Sequence, residues 1–122
     1  MANNQCGCGG KSVVVMACSG ASDVGEVADR AARKLRSETR ARMSCLAGLG
    51  AGLPGYVSLA AEADTLLIID GCPVECGRQI ALKAGAKNFR HLKLAEQGFV
   101  KGKSPATTEN VEKACEAAKK LL

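Results

Sequence analysis

Four cysteines are spaced so that they could act together: Cys18, Cys45, Cys72 and Cys76. The first three recur at an interval of 27 residues (45 − 18 and 72 − 45), and Cys76 follows Cys72 by four. An interval of that size suits one strand-plus-helix unit, so each cysteine falls at the same point of a repeating unit. If that point is the C-terminal end of a strand in a parallel sheet, the thiols converge on one edge, where ligands of open α/β sheets bind. Four thiolates are the ligand set of a closed tetrahedral Zn²⁺ site. Fe²⁺ or an Fe–S cluster accepts the same donors, but zinc is the favoured ion. Cys72 and Cys76 are expected one turn apart on the same helix face, and helix N-termini are expected to favour the metal-binding thiolate.

Other residues compete for attention. Cys6 and Cys8 form a C-x-C in a glycine-rich N-terminal tail, residues 1–11, and suit a soft-metal or metalloid carrier with a mobile hand-off arm. Cys72 to Arg78 reads C-x₅-R, the spacing of a thiol enzyme in which a loop cradles an oxyanion, Cys attacks and Arg clamps. Pro73 removes one cradling N–H from that loop, and Glu75 repels an anion. Cys72 and Cys76 also suit a thiol–disulfide switch. Cys115 reads as core packing and His91, the only histidine, as structural. Asp70 is either a turn acceptor or a partner of the site's ligands.

The elements that must position these groups follow from the pattern. Val13–Ala17 is β-branched and reads as a first strand. Ser22 or Asp23 caps a helix from Val24 to about Leu35, with Val24, Val27, Ala28, Ala31 and Leu35 on one face. Residues 39–44 form a weaker edge strand. The glycine-rich stretch 46–55 is a long loop or a loosely turned helix start, and a short helix covers 57–63. Leu66–Asp70 is an apolar strand buried on both faces. Cys72 is placed as the N-cap of the next helix, with Pro73 at its first position and Glu75 at its third, running to about Ala84. Residues 88–94 form a fourth strand, 95–105 a loop, and Thr107 or Thr108 caps a final helix over 109–122. The alternation implies an α/β fold: a three-layer αβα arrangement around a four-stranded, mainly parallel sheet of flavodoxin/Rossmann-like order 2-1-3-4.

Composition bounds the function. The 122 residues are 47% hydrophobic but only 2% aromatic, enough for a single domain over 12–122 with an aliphatic core. A net charge of +5 from 17 basic and 12 acidic residues, without aromatic stacking platforms, argues against a nucleic-acid partner. No stretch approaches the ~20 apolar residues that span a bilayer, and residues 1–11 lack the apolar segment of a signal peptide. The expectation is a cytoplasmic chain, in which seven cysteines signal metal or redox chemistry rather than structural disulfides. No protein partner can be named. A site saturated by four thiolates offers no open position to substrate, which favours a structural, sensing or metal-handling role over an enzyme.

Three segments carry a resemblance: Cys18-Ser19-Gly20, Met43-Ser44-Cys45-Leu46-Ala47-Gly48-Leu49-Gly50 and Asp70-Gly71-Cys72-Pro73. Together they resemble the hallmark segments of the DGC-domain family, named for its Asp-Gly-Cys motif and described as zinc-binding. The similarity covers roughly residues 13–102. The resemblance implies four zinc-chelating cysteines, matching Cys18, Cys45, Cys72 and Cys76 by motif position. Cys6 and Cys8 lie outside the motif.

Overall fold

Two aliphatic runs pair at the centre of the molecule. In the computed structural model, which describes residues 11–122, strands β1 (Val13–Ala17) and β3 (Thr65–Asp70) lie side by side in parallel, in register from Val13↔Thr65 to Ala17↔Ile69. β2 (Arg42–Met43) joins the far edge of β1, and β4 (Arg90–Lys93) the far edge of β3. The result is a fully parallel four-stranded sheet of order β2-β1-β3-β4. Residues 1–10, with Cys6 and Cys8, lie outside the described residues.

Side-chain alternation along the central strands divides the core into two layers. Val15, Ala17, Leu67 and Ile69 face one side, where they pack on α1 (Asp23–Glu38) and α5 (Thr108–Lys119). Val14, Met16, Leu66 and Ile68 face the other, under α2 (Leu46–Gly50), α3 (Pro54–Glu62) and α4 (Cys76–Lys83). This is the three-layer αβα arrangement. Cys115 is fully buried in the α1/α5 layer, as its inward helical position requires.

Helix starts follow local chemistry. The Ser22 hydroxyl accepts from Gly25 N–H at 3.1 Å at the head of α1, and Thr107 does the same for Asn110 N–H at 3.1 Å at the head of α5. The stretch 46–50, expected as a loop or loose helix start, is a short helix capped by Cys45, whose Sγ accepts from Gly48 N–H at 3.3 Å. α3 begins three residues before its expected start, because Pro54 fills the first helical turn. Where the expected fourth strand gives way to the 95–105 loop, Leu94–Gln97 forms one 3₁₀ turn, so the strand ends at Lys93.

One expectation is corrected. Cys72 is not the N-cap of α4, and Pro73 and Glu75 are not in it: the helix begins at Cys76, with Glu75 as the preceding cap residue. Cys72–Glu75 is instead a β-turn closed by Glu75 N–H donating to Cys72 O at 3.3 Å. Proline's fixed φ serves the second position of a turn as well as the first position of a helix. The tie is broken by Glu75, which sits in the left-handed region at φ 58 and interrupts any helix running through it. Cys72 and Cys76 therefore do not share a helix face.

Candidate functional site

The C-terminal ends of the strands are held by the sheet itself. Cys18 N–H donates to Ile69 O at 2.9 Å and Ser44 N–H to Val15 O at 2.9 Å, so the ladder extends to the residues that present Cys18 and Cys45. Beyond this edge opens a cleft of about 800 Å³. Cys18, Cys45 and Cys76 line it, each from a different crossover of the sheet. Cys45 and Cys76 are exposed and Cys18 is half-buried. α1 contributes Asp29, Arg33 and Arg36 to the lining of the cleft, and Tyr56 and Ile80 add apolar surface.

Cys72 is placed differently. It is half-buried and packs against the α1/α5 core layer, and it is not among the residues lining the cleft. Among the described residues, no group of three or more His, Cys, Asp or Glu side chains is positioned to hold a metal ion. The structure thus gathers three of the four cysteines around one space without drawing them to a common point, and leaves the fourth on the adjoining turn.

The thiols do not share one environment. Burial raises the Cys18 pKa above the ordinary thiol value; the Gly20 N–H counters this, the nearby charges of Asp70 and Cys76 add to it, and the Gly71 N–H opposes it. The expected lowering by a helix N-terminus is overridden at this cysteine, because burial and neighbouring negative charge both disfavour a thiolate.

Asp70 organises the turn between β3 and α4. It is buried, at 1% exposure. Its Oδ1 accepts from Gly77 N–H at 2.7 Å, and its Oδ2 from Arg78 N–H at 2.9 Å and from His91 Nε2–H at 2.8 Å. Burial pushes its pKa up, but the hydrogen bonds from His91, Gly77 and Arg78 outweigh it and hold the carboxyl below its ordinary value. Asp70 is therefore the N-terminal anchor of α4, reached from the strand rather than from the preceding turn. Next to it, Gly71 meets α1: a Cβ there would stand 2.4 Å from Val24 O. Gly77 is equally confined, since its Cβ would lie 2.8 Å from Asp70 Oδ1. The Asp-Gly-Cys triplet thus has a local rationale: the acid anchors α4, the glycine lets α1 close on the strand end, and the cysteine opens the turn.

Sequence reasoning named Asp70 and His91 but did not pair them. The pairing has a signal in the register, since strands β3 and β4 are neighbours and His91 aligns with Ile68, two residues from Asp70. It also missed the clamp on Glu75, whose carboxylate takes Lys93 Nζ at 3.0 Å, with Arg78 and His91 each at 3.9 Å. The C-x₅-R oxyanion loop loses its physical basis here. The amides of Gly77 and Arg78, which would have to cradle an anion, already donate to Asp70, and the Glu75 carboxylate stands beside Arg78.

The family model of the DGC domain matches residues 14–118. Over 88 residues the chain is 36% identical to the anaerobic and virulence modulator AnvM of Pseudomonas aeruginosa, covering 72% of this chain and 67% of that protein. No solved structure matches. Among the described residues, no helix is long and apolar enough to cross a membrane. With the family model spanning nearly all of the sheet and its helices, the chain belongs to the DGC-domain family.

Proposed function

We propose that the cleft is a thiolate metal site that takes zinc, with Cys18, Cys45 and Cys76 as ligands from the cleft wall and Cys72 from the adjoining turn, and that the protein handles or senses the ion rather than catalysing a reaction. The observation that carries this reading is the delivery of three thiols, from three separate crossovers, to one cleft at the C-terminal edge of the sheet. A soft, all-sulfur donor set suits Zn²⁺. Closing it around an ion requires the Cys72–Glu75 turn and the cleft thiols to move together, since the described side chains are not gathered for coordination. A site that must close in this way suits reversible binding, and membership in the DGC family together with the modulator among its relatives supports a metal-binding or regulatory role.

The test is metal content per chain after anaerobic purification, with free thiols counted before and after chelation. About one zinc per chain is expected, with four thiols released by the chelator. Cys45→Ser is the informative variant. A serine hydroxyl still caps Gly48 N–H, so the melting temperature of the metal-free protein should stay within a degree or two, while zinc retention falls sharply. Zinc bound undiminished by Cys45→Ser, or no zinc at all, overturns the proposal.

A further inference from the structure

The cleft is larger than an ion needs. Four ligands around zinc enclose a space of a few ångströms, whereas about 800 Å³ is the size of a small-molecule pocket. The surplus volume has a distinct chemistry. Tyr56 and Ile80 make part of the lining apolar, and α1 adds two arginines, Arg33 and Arg36. These two are not equivalent. Arg33 Nε is held by Asp29 at 2.9 Å, and Asp29 also accepts from the Ser19 hydroxyl at 2.9 Å. Arg36 makes no ion pair among the described residues, so the α1 wall presents one uncompensated positive charge. A guanidinium offers a planar fork of donors that fits an oxyanion.

We propose that the cleft binds a small organic anion, its carboxylate or phosphate paired with Arg36 and its apolar body lying against Tyr56 and Ile80, beside the three thiols. The inference rests on the reading that this cleft is the functional site, and extends it from an ion to an ion plus a small anionic ligand. It assigns Arg36 as the residue that selects charge, with Arg33 held in the wall by Asp29. The thiols lie within the same cleft, so any reagent that first docks on Arg36 is delivered to them.

Alkylation kinetics test this on the full chain after a chelator has removed bound zinc, so that the thiols are free to react. Iodoacetate and iodoacetamide differ mainly in charge, and each reacts by the same step: the thiolate sulfur attacks the methylene carbon, a C–S bond forms and iodide leaves. Peptide mapping then assigns the label to individual cysteines. Iodoacetate labelling of the cleft cysteines Cys18, Cys45 or Cys76 is expected to saturate with reagent concentration, while iodoacetamide labelling stays linear. Arg36→Gln should abolish the saturation and slow iodoacetate by about tenfold, leaving the iodoacetamide rate within about twofold. Arg33→Gln should have the smaller effect. Benzoate or phenyl phosphate should protect against iodoacetate where benzamide does not, and whichever of the two protects better identifies the oxyanion.

An iodoacetate-to-iodoacetamide ratio equal to that of free cysteine, and unchanged by Arg36→Gln, overturns the proposal, as does a loss of saturation in Arg33→Gln alone. The metal reading fails separately. A protein without zinc that still shows saturable, Arg36-dependent labelling has the anion cleft and not the metal site. A protein that is purified with zinc but labels without charge selectivity once stripped of it has the reverse.

Discussion

At the scale of the residue, Asp70 explains more of the site than any cysteine does. One buried carboxylate accepts three hydrogen bonds, two from the first amides of α4 and one from His91. Removing it strands the two amides and the imidazole N–H, of which the Gly77 amide is buried, at about 1–3 kcal/mol for each buried group left unpaired. Asp70→Ala should therefore cost about 3 kcal/mol or more in a denaturant titration, with Asp70→Asn losing less because it keeps one acceptor. The pH dependence has a definite sign. Because the folded-state pKa is lowered, the contribution of Asp70 is complete above the ordinary carboxylate value and is lost as the pH falls through the lower folded value. The acid limb of a stability-versus-pH curve should accordingly be shallower in Asp70→Asn than in the parent protein.

At the scale of the element, the site depends on how closely β3 and α1 approach. Gly71 is at the contact, with no room for a methyl group between it and Val24 O. Relief would require α1 to back away from the sheet, and α1 contributes Val24, Val27, Ala28, Ala31, Ala32 and Leu35 to the core, all fully buried. Gly71→Ala should cost at least about 3 kcal/mol by chemical unfolding, at the high end of overpacking. It should also displace the wall that carries Arg33 and Arg36. The start of α4 teaches the same lesson in reverse. Pro73 fits a helix start and a turn equally well, and the turn is chosen by Glu75 in its left-handed conformation, held by Lys93 from β4. Lys93 lies 18 residues further along the chain, so no local pattern announces that choice.

At the scale of the whole molecule, α1 and α5 are tied by more than apolar packing. Lys119 of α5 pairs with Glu38 at 2.8 Å, and Glu38 also holds Lys34 at 2.7 Å. Lys119 and then Lys34 lower the Glu38 carboxyl to about 2. This stabilisation is present above the ordinary carboxylate value and is lost as the pH falls toward about 2. These groups are solvent-accessible, so salt screens them. The melting temperature of the parent protein should fall more steeply with acid than that of Glu38→Gln, and the gap should narrow in high salt. Asp23, at the head of α1, accepts from Gly102 N–H at 2.9 Å and Ser104 N–H at 3.1 Å, tying down the loop that leads to α5. The layer that presents the arginine wall is thus held at both ends.

The amino-acid sequence by itself determined the alternating elements, the parallel order β2-β1-β3-β4 and the placing of Cys18 and Cys45 just beyond the ends of their strands. Those features are written in local periodicity: aliphatic runs of strand length, helical spacing of apolar residues, and caps such as Ser22 and Thr107. Cys115 in the core follows from the same periodicity. Tertiary structure alone decided the rest. It turned Cys72 toward the α1/α5 layer while Cys76 lines the cleft. It joined Asp70 to His91 across neighbouring strands, and it raised the Cys18 pKa where a helix start was expected to lower it. It also brought Arg36 of α1 into the lining of the cleft that holds three of the thiols. Each of these depends on groups far apart in the chain meeting at one edge of the sheet. Equal spacing along the chain brings cysteines to that edge, but the direction each side chain takes there is set by the packing around it.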